Sequence, residues 1–110
     1  MTEKNLQIIQ GDSFYLTLNK LDKEGDEIGF VEGEEIVFSA KKNLKQPEYD
    51  IYSDKMTLTE EGKIILYLSP VDTNIKLGTY YYDIQYKTLN KDIYTLVKGE
   101  LEVVWEVTDE

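Results

Sequence analysis

Apolar residues in this chain recur at every second position, segment after segment, and that periodicity leaves few folds open. Successive side chains of an extended strand point to opposite faces, so alternation marks a strand with one buried face. Phe14, Leu16 and Leu18 alternate with Ser13, Tyr15, Thr17 and Asn19. Ile36, Phe38 and Ala40 alternate with Val37, Ser39 and Lys41, and Ile64, Leu66 and Leu68 with Ile65 and Tyr67. Tyr80, Tyr82, Ile84 and Tyr86 interleave with Thr79, Tyr81, Asp83 and Gln85. Leu101, Val103, Trp105 and Val107 do the same with Glu100, Glu102, Val104 and Glu106. Residues 6–10 make a short first strand, and 48–53 a weaker one. No window sustains an amphipathic helix of ten or more residues.

Turn chemistry punctuates these runs. KEGDE (23–27) reads as a hairpin tip leading into residues 28–31, EEGK (60–63) precedes the Ile64 strand, and LNKD (89–92) joins two strong strands. KKNLKQPEYD is irregular, and Pro47 makes it a loop or an edge. The last apolar segment runs from Ile93 to Val107, well beyond the usual five or six residues of a strand. Gly99 inside it predicts a bulge or bend, and the segment is long enough to begin in one sheet and finish in the other. Six or seven short strands with regular turns predict an all-β fold, an antiparallel β-sandwich of about seven strands.

The chain has 110 residues, the length of one domain (1–110), with residues 1–5 and 108–110 expected to fray. A chain of this size buries roughly 65% of its unfolded surface, enough for one core without staples. Cysteine is absent, which excludes disulfides and thiolate metal sites. Histidine is absent too, removing the commonest general base and the Ser-His and Cys-His nucleophile pairs. Net charge is −10, from 22 acidic and 12 basic residues, every basic one a lysine. An acidic surface without arginine argues against nucleic acid and against anionic membranes. The N-terminus MTEKNLQIIQGDS carries no apolar run of signal-peptide length, so we expect a chain made in the cytoplasm.

Few constellations carry chemistry. Ser69, Pro70 and Asp72 spell a helix start, with Ser69 as N-cap, Pro70 at the first helical position and Asp72 closing a capping box. As a catalytic pair, Ser69 and Asp72 lack a base. Gly78-Thr79-Tyr80-Tyr81-Tyr82 matches the corner of immunoglobulin-like sandwiches, where a tyrosine near the start of strand F bonds its hydroxyl back to upstream backbone. Tyr80 is then the corner residue, Tyr82 takes a core position, and Gly78 begins the strand. Tyr81 points the other way; with Tyr15 and Tyr67 on neighbouring outward positions it forms a candidate interaction surface, the alternative being plain cross-strand pairing. Trp105 is expected to anchor the core. The acidic groups 22–27 and 32–35 lack the spacing of a calcium loop and read as solvated tips. We expect no cofactor.

Over nearly its whole length the chain resembles small tailed-phage and prophage structural proteins. The resemblance is to the N-terminal domain of baseplate upper proteins from phages of Gram-positive bacteria in particular. It is carried by Gln10-Gly11-Asp12, by Leu68-Ser69-Pro70-x-Asp72-Thr73 and by Gly78-x-Tyr80-x-Tyr82-Asp83-Ile84-Gln85. It implies an immunoglobulin-like attachment or assembly module, a virion component whose partners are other tail or baseplate proteins or further copies of itself. It carries over no catalytic residue. Baseplate upper proteins continue past this domain whereas this sequence stops at Glu110, which favours a freestanding structural component over a receptor binder. Asn90-Lys91-Asp92 also stands where the family pattern leads us to expect Asp-Gly. The competing expectation is a small carbohydrate- or peptide-binding sandwich using Tyr15, Tyr67 and Tyr81.

Overall fold

Hydrophobic alternation and the turns between its segments resolve into nine strands and one helical turn, in a computed structural model that describes residues 2–20 and 24–105. In chain order these are β1 (Thr2–Glu3), β2 (Leu6–Ile9), β3 (Phe14–Leu18), β4 (Glu35–Lys41), β5 (Ile51–Ser53), β6 (Met56–Leu58), β7 (Ile64–Leu68), α1 (Pro70–Thr73), β8 (Gly78–Lys87) and β9 (Ile93–Val104). Six strands form one sheet, in which β9, β8, β4 and β5 follow one another antiparallel. β1 and β2 lie end to end along the free side of β9, both parallel to it. The second sheet has three antiparallel strands in the order β3-β7-β6. The two sheets make an all-β sandwich.

One core fills the space between the sheets. Ile36 and Phe38 of β4, Ile64, Leu66 and Leu68 of β7, and Ile84 and Leu101 of the larger sheet are wholly buried. Phe38 and Tyr82 stack with ring centres 5.3 Å apart, and Phe30 meets Tyr86 edge-on at 5.7 Å. These rings pack among the Ile, Leu and Val side chains of the core and add to the apolar area that drives folding.

Several expectations need correction. Thr2–Glu3 is a paired strand, and Lys4 N–H donates to Lys98 O, so residues 2–5 are tied to the sheet and not frayed. β9 stays in one sheet throughout. Its irregularity lies where Ile84 pairs with Val97 but Gln85 with Thr95, leaving Leu96 as the extra residue. Gly99 answers a different need: a β-carbon there would collide with the carbonyl oxygen of Lys4 and lie 2.7 Å from its carbonyl carbon. Residues 28–31 form no strand. Phe30 instead drops into the core, and its N–H donates to Gly62 O. The tip that precedes them lies partly outside the described residues, as do Asp22, Val107 and residues 108–110. β6 has too few residues for alternation to reveal it.

Candidate functional site

The motif residues of the α1 region come together as architecture. Ser69 Oγ accepts from Asp72 N–H at 3.2 Å, and Asp72 Oδ2 accepts from Ser69 N–H at 2.8 Å, a complete capping box with Pro70 opening the helix. Thr73 is fully buried, and its hydroxyl donates to Asp12 O at 2.7 Å. Gly11 N–H donates to Thr73 O, and Gln10 Nε2 donates to Ile75 O at 2.7 Å. Gln10-Gly11-Asp12 and Ser69-Pro70-x-Asp72-Thr73 thus lock into each other, satisfying backbone groups that the crossing between sheets would otherwise leave unpaired. Gly78 begins β8 at φ +138°, with Lys42 Nζ 2.7 Å from where a β-carbon would stand.

Tyr80 donates its hydroxyl to Lys76 O at 2.7 Å, four residues upstream. Tyr82 donates to Lys4 O at 2.5 Å and so pins the N-terminal strand across β9. Burial pushes both phenols above their ordinary pKa, with the Asp50 carboxylate adding to the effect at Tyr80. Trp105 is not in the core. It is 73% exposed, because β8 begins opposite Val103 and β2 ends opposite Val104, so no neighbouring strand covers the next inward position.

The outward tyrosines divide between opposite faces of the molecule. Tyr15 and Tyr67 pair across β3 and β7 with their rings stacked 4.9 Å apart. Tyr81 lies on the outer face of the larger sheet, so the three do not form one surface. Around Tyr81 runs a groove of about 640 Å³. Ser39 and Asp83 face each other on adjacent strands within it, and Tyr49 stands on one bank beneath the Lys41 ammonium, 4.8 Å from its ring centre. Burial raises the Asp83 carboxyl above its ordinary pKa. The alternation of β8 already places Asp83 beside Tyr81. Tyr49 sits in the irregular 42–50 loop, where no periodicity assigns a direction.

Glu34 overturns the reading of residues 32–35 as a solvated tip. It is 4% exposed and receives hydrogen bonds from Lys20 Nζ at 2.9 Å, from Val31 N–H at 2.8 Å and from the Tyr86 hydroxyl. The ammonium of Lys20 also lies 5.2 Å from the Tyr86 ring centre. No group of three acidic side chains among the described residues is placed to hold a metal ion. Nor is any helix there long and apolar enough to cross a membrane.

A further exposed feature is the edge of β3. Among the described residues, no strand pairs with its second side. Phe14, Leu16 and Leu18 point inward yet are only half-buried, whereas their partners Leu68, Leu66 and Ile64 on β7 are wholly buried. No protein-family model and no curated protein matches the sequence.

Proposed function

We propose that this protein is a non-enzymatic structural or assembly module of a tailed phage or prophage, acting through protein–protein contacts within the virion. The observation that carries the reading is the open, uncharged edge of β3. Backbone donors and acceptors there stand ready for another strand, and an apolar fringe beside them awaits cover. The motif resemblance to baseplate proteins supplies the setting. Its residues in Gln10–Asp12 and Ser69–Thr73 are occupied in holding the sandwich together, which suits a scaffold that presents edges and faces. Mass spectrometry of purified particles from an induced lysate tests the proposal. The protein is expected in virions or tail-assembly intermediates, and its absence from both sinks the reading.

A second reading, a carbohydrate- or peptide-binding module, is favoured by the groove holding Tyr81, Tyr49 and Asp83. Aromatic rings beside a carboxylate suit stacking and hydrogen bonding to a sugar or an extended chain. Binding on a glycan or peptide array should vanish with Tyr81→Ala at an unchanged melting temperature. No binding to any arrayed ligand would remove this reading.

A further inference from the structure

We propose that β3 is a self-association strand: two copies of the chain pair β3 with β3, antiparallel, about a two-fold axis at Leu16. The inference names the partner for the assembly reading and rests on it.

The open edge follows from how the N-terminus is spent. In immunoglobulin-like sandwiches of the constant type, the first strand pairs beside the second and covers its edge. Here β1 and β2 both run parallel to β9, so residues 2–9 serve the opposite sheet and leave β3 uncovered. Natural edge strands are blunted by charge, proline, a bulge or extreme shortness. β5 and β6 are three residues each, at β1 Glu3 pairs with Lys98, and β2, also uncharged, is only four residues long. β3 has none of these defences. Its sequence FYLTL carries no charge and no proline, and its register with β7 runs unbroken from Phe14 opposite Leu68 to Leu18 opposite Ile64.

A second copy fits this edge in one register. Inward residues must oppose inward residues, so only shifts by whole pleats are allowed. Centring the axis on Leu16 overlaps all five residues. Phe14 then opposes Leu18 of the second copy, Tyr15 opposes Thr17, and Leu16 opposes Leu16. Two pairs further out, beyond the ends of β3, Asp12 faces Lys20, whose ammonium is already bonded to Glu34, so neither end of the ladder sets like charges against each other. Centring on Tyr15 instead sets Asp12 against Leu18, and centring on Thr17 sets Lys20 against Phe14, each leaving a charge beside an apolar partner. The favoured register also brings no like charges opposite one another, which matters for a chain of net charge −10. The joined sheet runs β6-β7-β3-β3-β7-β6, and the half-buried Phe14, Leu16 and Leu18 of both copies gain cover.

The absence of cysteine allows a direct test on the full chain. Sedimentation equilibrium is expected to show a monomer–dimer equilibrium. Thr17→Lys, at an outward position, should raise the dimer dissociation constant at least about tenfold through repulsion near the axis, while circular dichroism and melting temperature stay unchanged. Under mild oxidation Leu16→Cys should form a disulfide-linked dimer. Tyr15→Cys and Thr17→Cys should cross-link when mixed and not when separate, since directly opposed β-carbons lie about 5 Å apart. Three results overturn the proposal. These are sedimentation as a monomer at every concentration, cross-linking of Leu16→Cys no faster than that of Glu60→Cys, and a dimer that persists unchanged in Thr17→Lys. Absence of the protein from virions is a separate result that removes the assembly reading while leaving the dimer measurement intact.

Discussion

Glu34 shows how one side chain takes a role that its neighbours in sequence do not suggest. Its carboxylate satisfies the Lys20 ammonium, the Tyr86 hydroxyl and the Val31 N–H at once. Removing one member of such a buried pair strands the other, so Glu34→Ala is expected to destabilise by about 3 kcal/mol in urea unfolding. A loss below about 1 kcal/mol, the worth of an exposed pair, would refute that account. Asp83 makes a prediction in pH. Folding raises its pKa, so the folded state binds the proton more tightly than the unfolded state. The stabilisation from this is complete below the ordinary carboxylate value of about 4 and is lost as pH rises through the folded value. Asp83→Asn should therefore melt above the parent at pH 7, with the gap closing as pH falls through the raised folded value and closed below about 4. A gap that is constant with pH contradicts the assignment.

Among the elements, β9 and α1 show why local chemistry is not always the reason a residue is present. Gly99 sits in an unbroken run of β9, opposite Tyr82, and its missing β-carbon makes room for the Lys4 carbonyl. Gly99→Ala must push the β1–β2 junction away from β9 and should cost about 1–3 kcal/mol, as overpacking does. Loss of amide protection at Lys4 and Glu100 in hydrogen exchange would locate the damage, because their N–H groups bond to Lys98 O and Asn5 Oδ1 across that junction. In α1 the capping box is local and reads directly from Ser69, Pro70 and Asp72. Thr73 is different: its hydroxyl bond to Asp12 spans 61 residues, and no local pattern announces it.

At the scale of the whole molecule, the parallel N-terminal strands close one side of the larger sheet and open one side of the smaller. Deleting residues 1–5 removes the Lys4 bond to Lys98, the Tyr82 bond to Lys4 and the Asn5 bond to Glu100. At about 1 kcal/mol net for each, the loss should be about 3 kcal/mol. The melting temperature should then fall by more than about 10 °C. An unchanged melting temperature would mean that the segment contributes nothing, as fraying implies.

By itself the sequence determined which residues face inward on β4, β7 and β8, the α1 cap and the Tyr80 corner. Each depends on a period of two or on partners within four residues. Tertiary structure alone decided what depends on distant partners or on where a neighbouring strand ends. Trp105 continues the inward parity of Leu101 and Val103, yet it is exposed because the strands beside it have stopped. Tyr15 and Tyr81 share an outward parity but lie on opposite faces, since parity says which side of a sheet a residue takes and not which sheet. The open edge of β3 is of the same kind. Alternation names the strand, but only the choice of β9 as partner for β1 and β2 leaves that edge free.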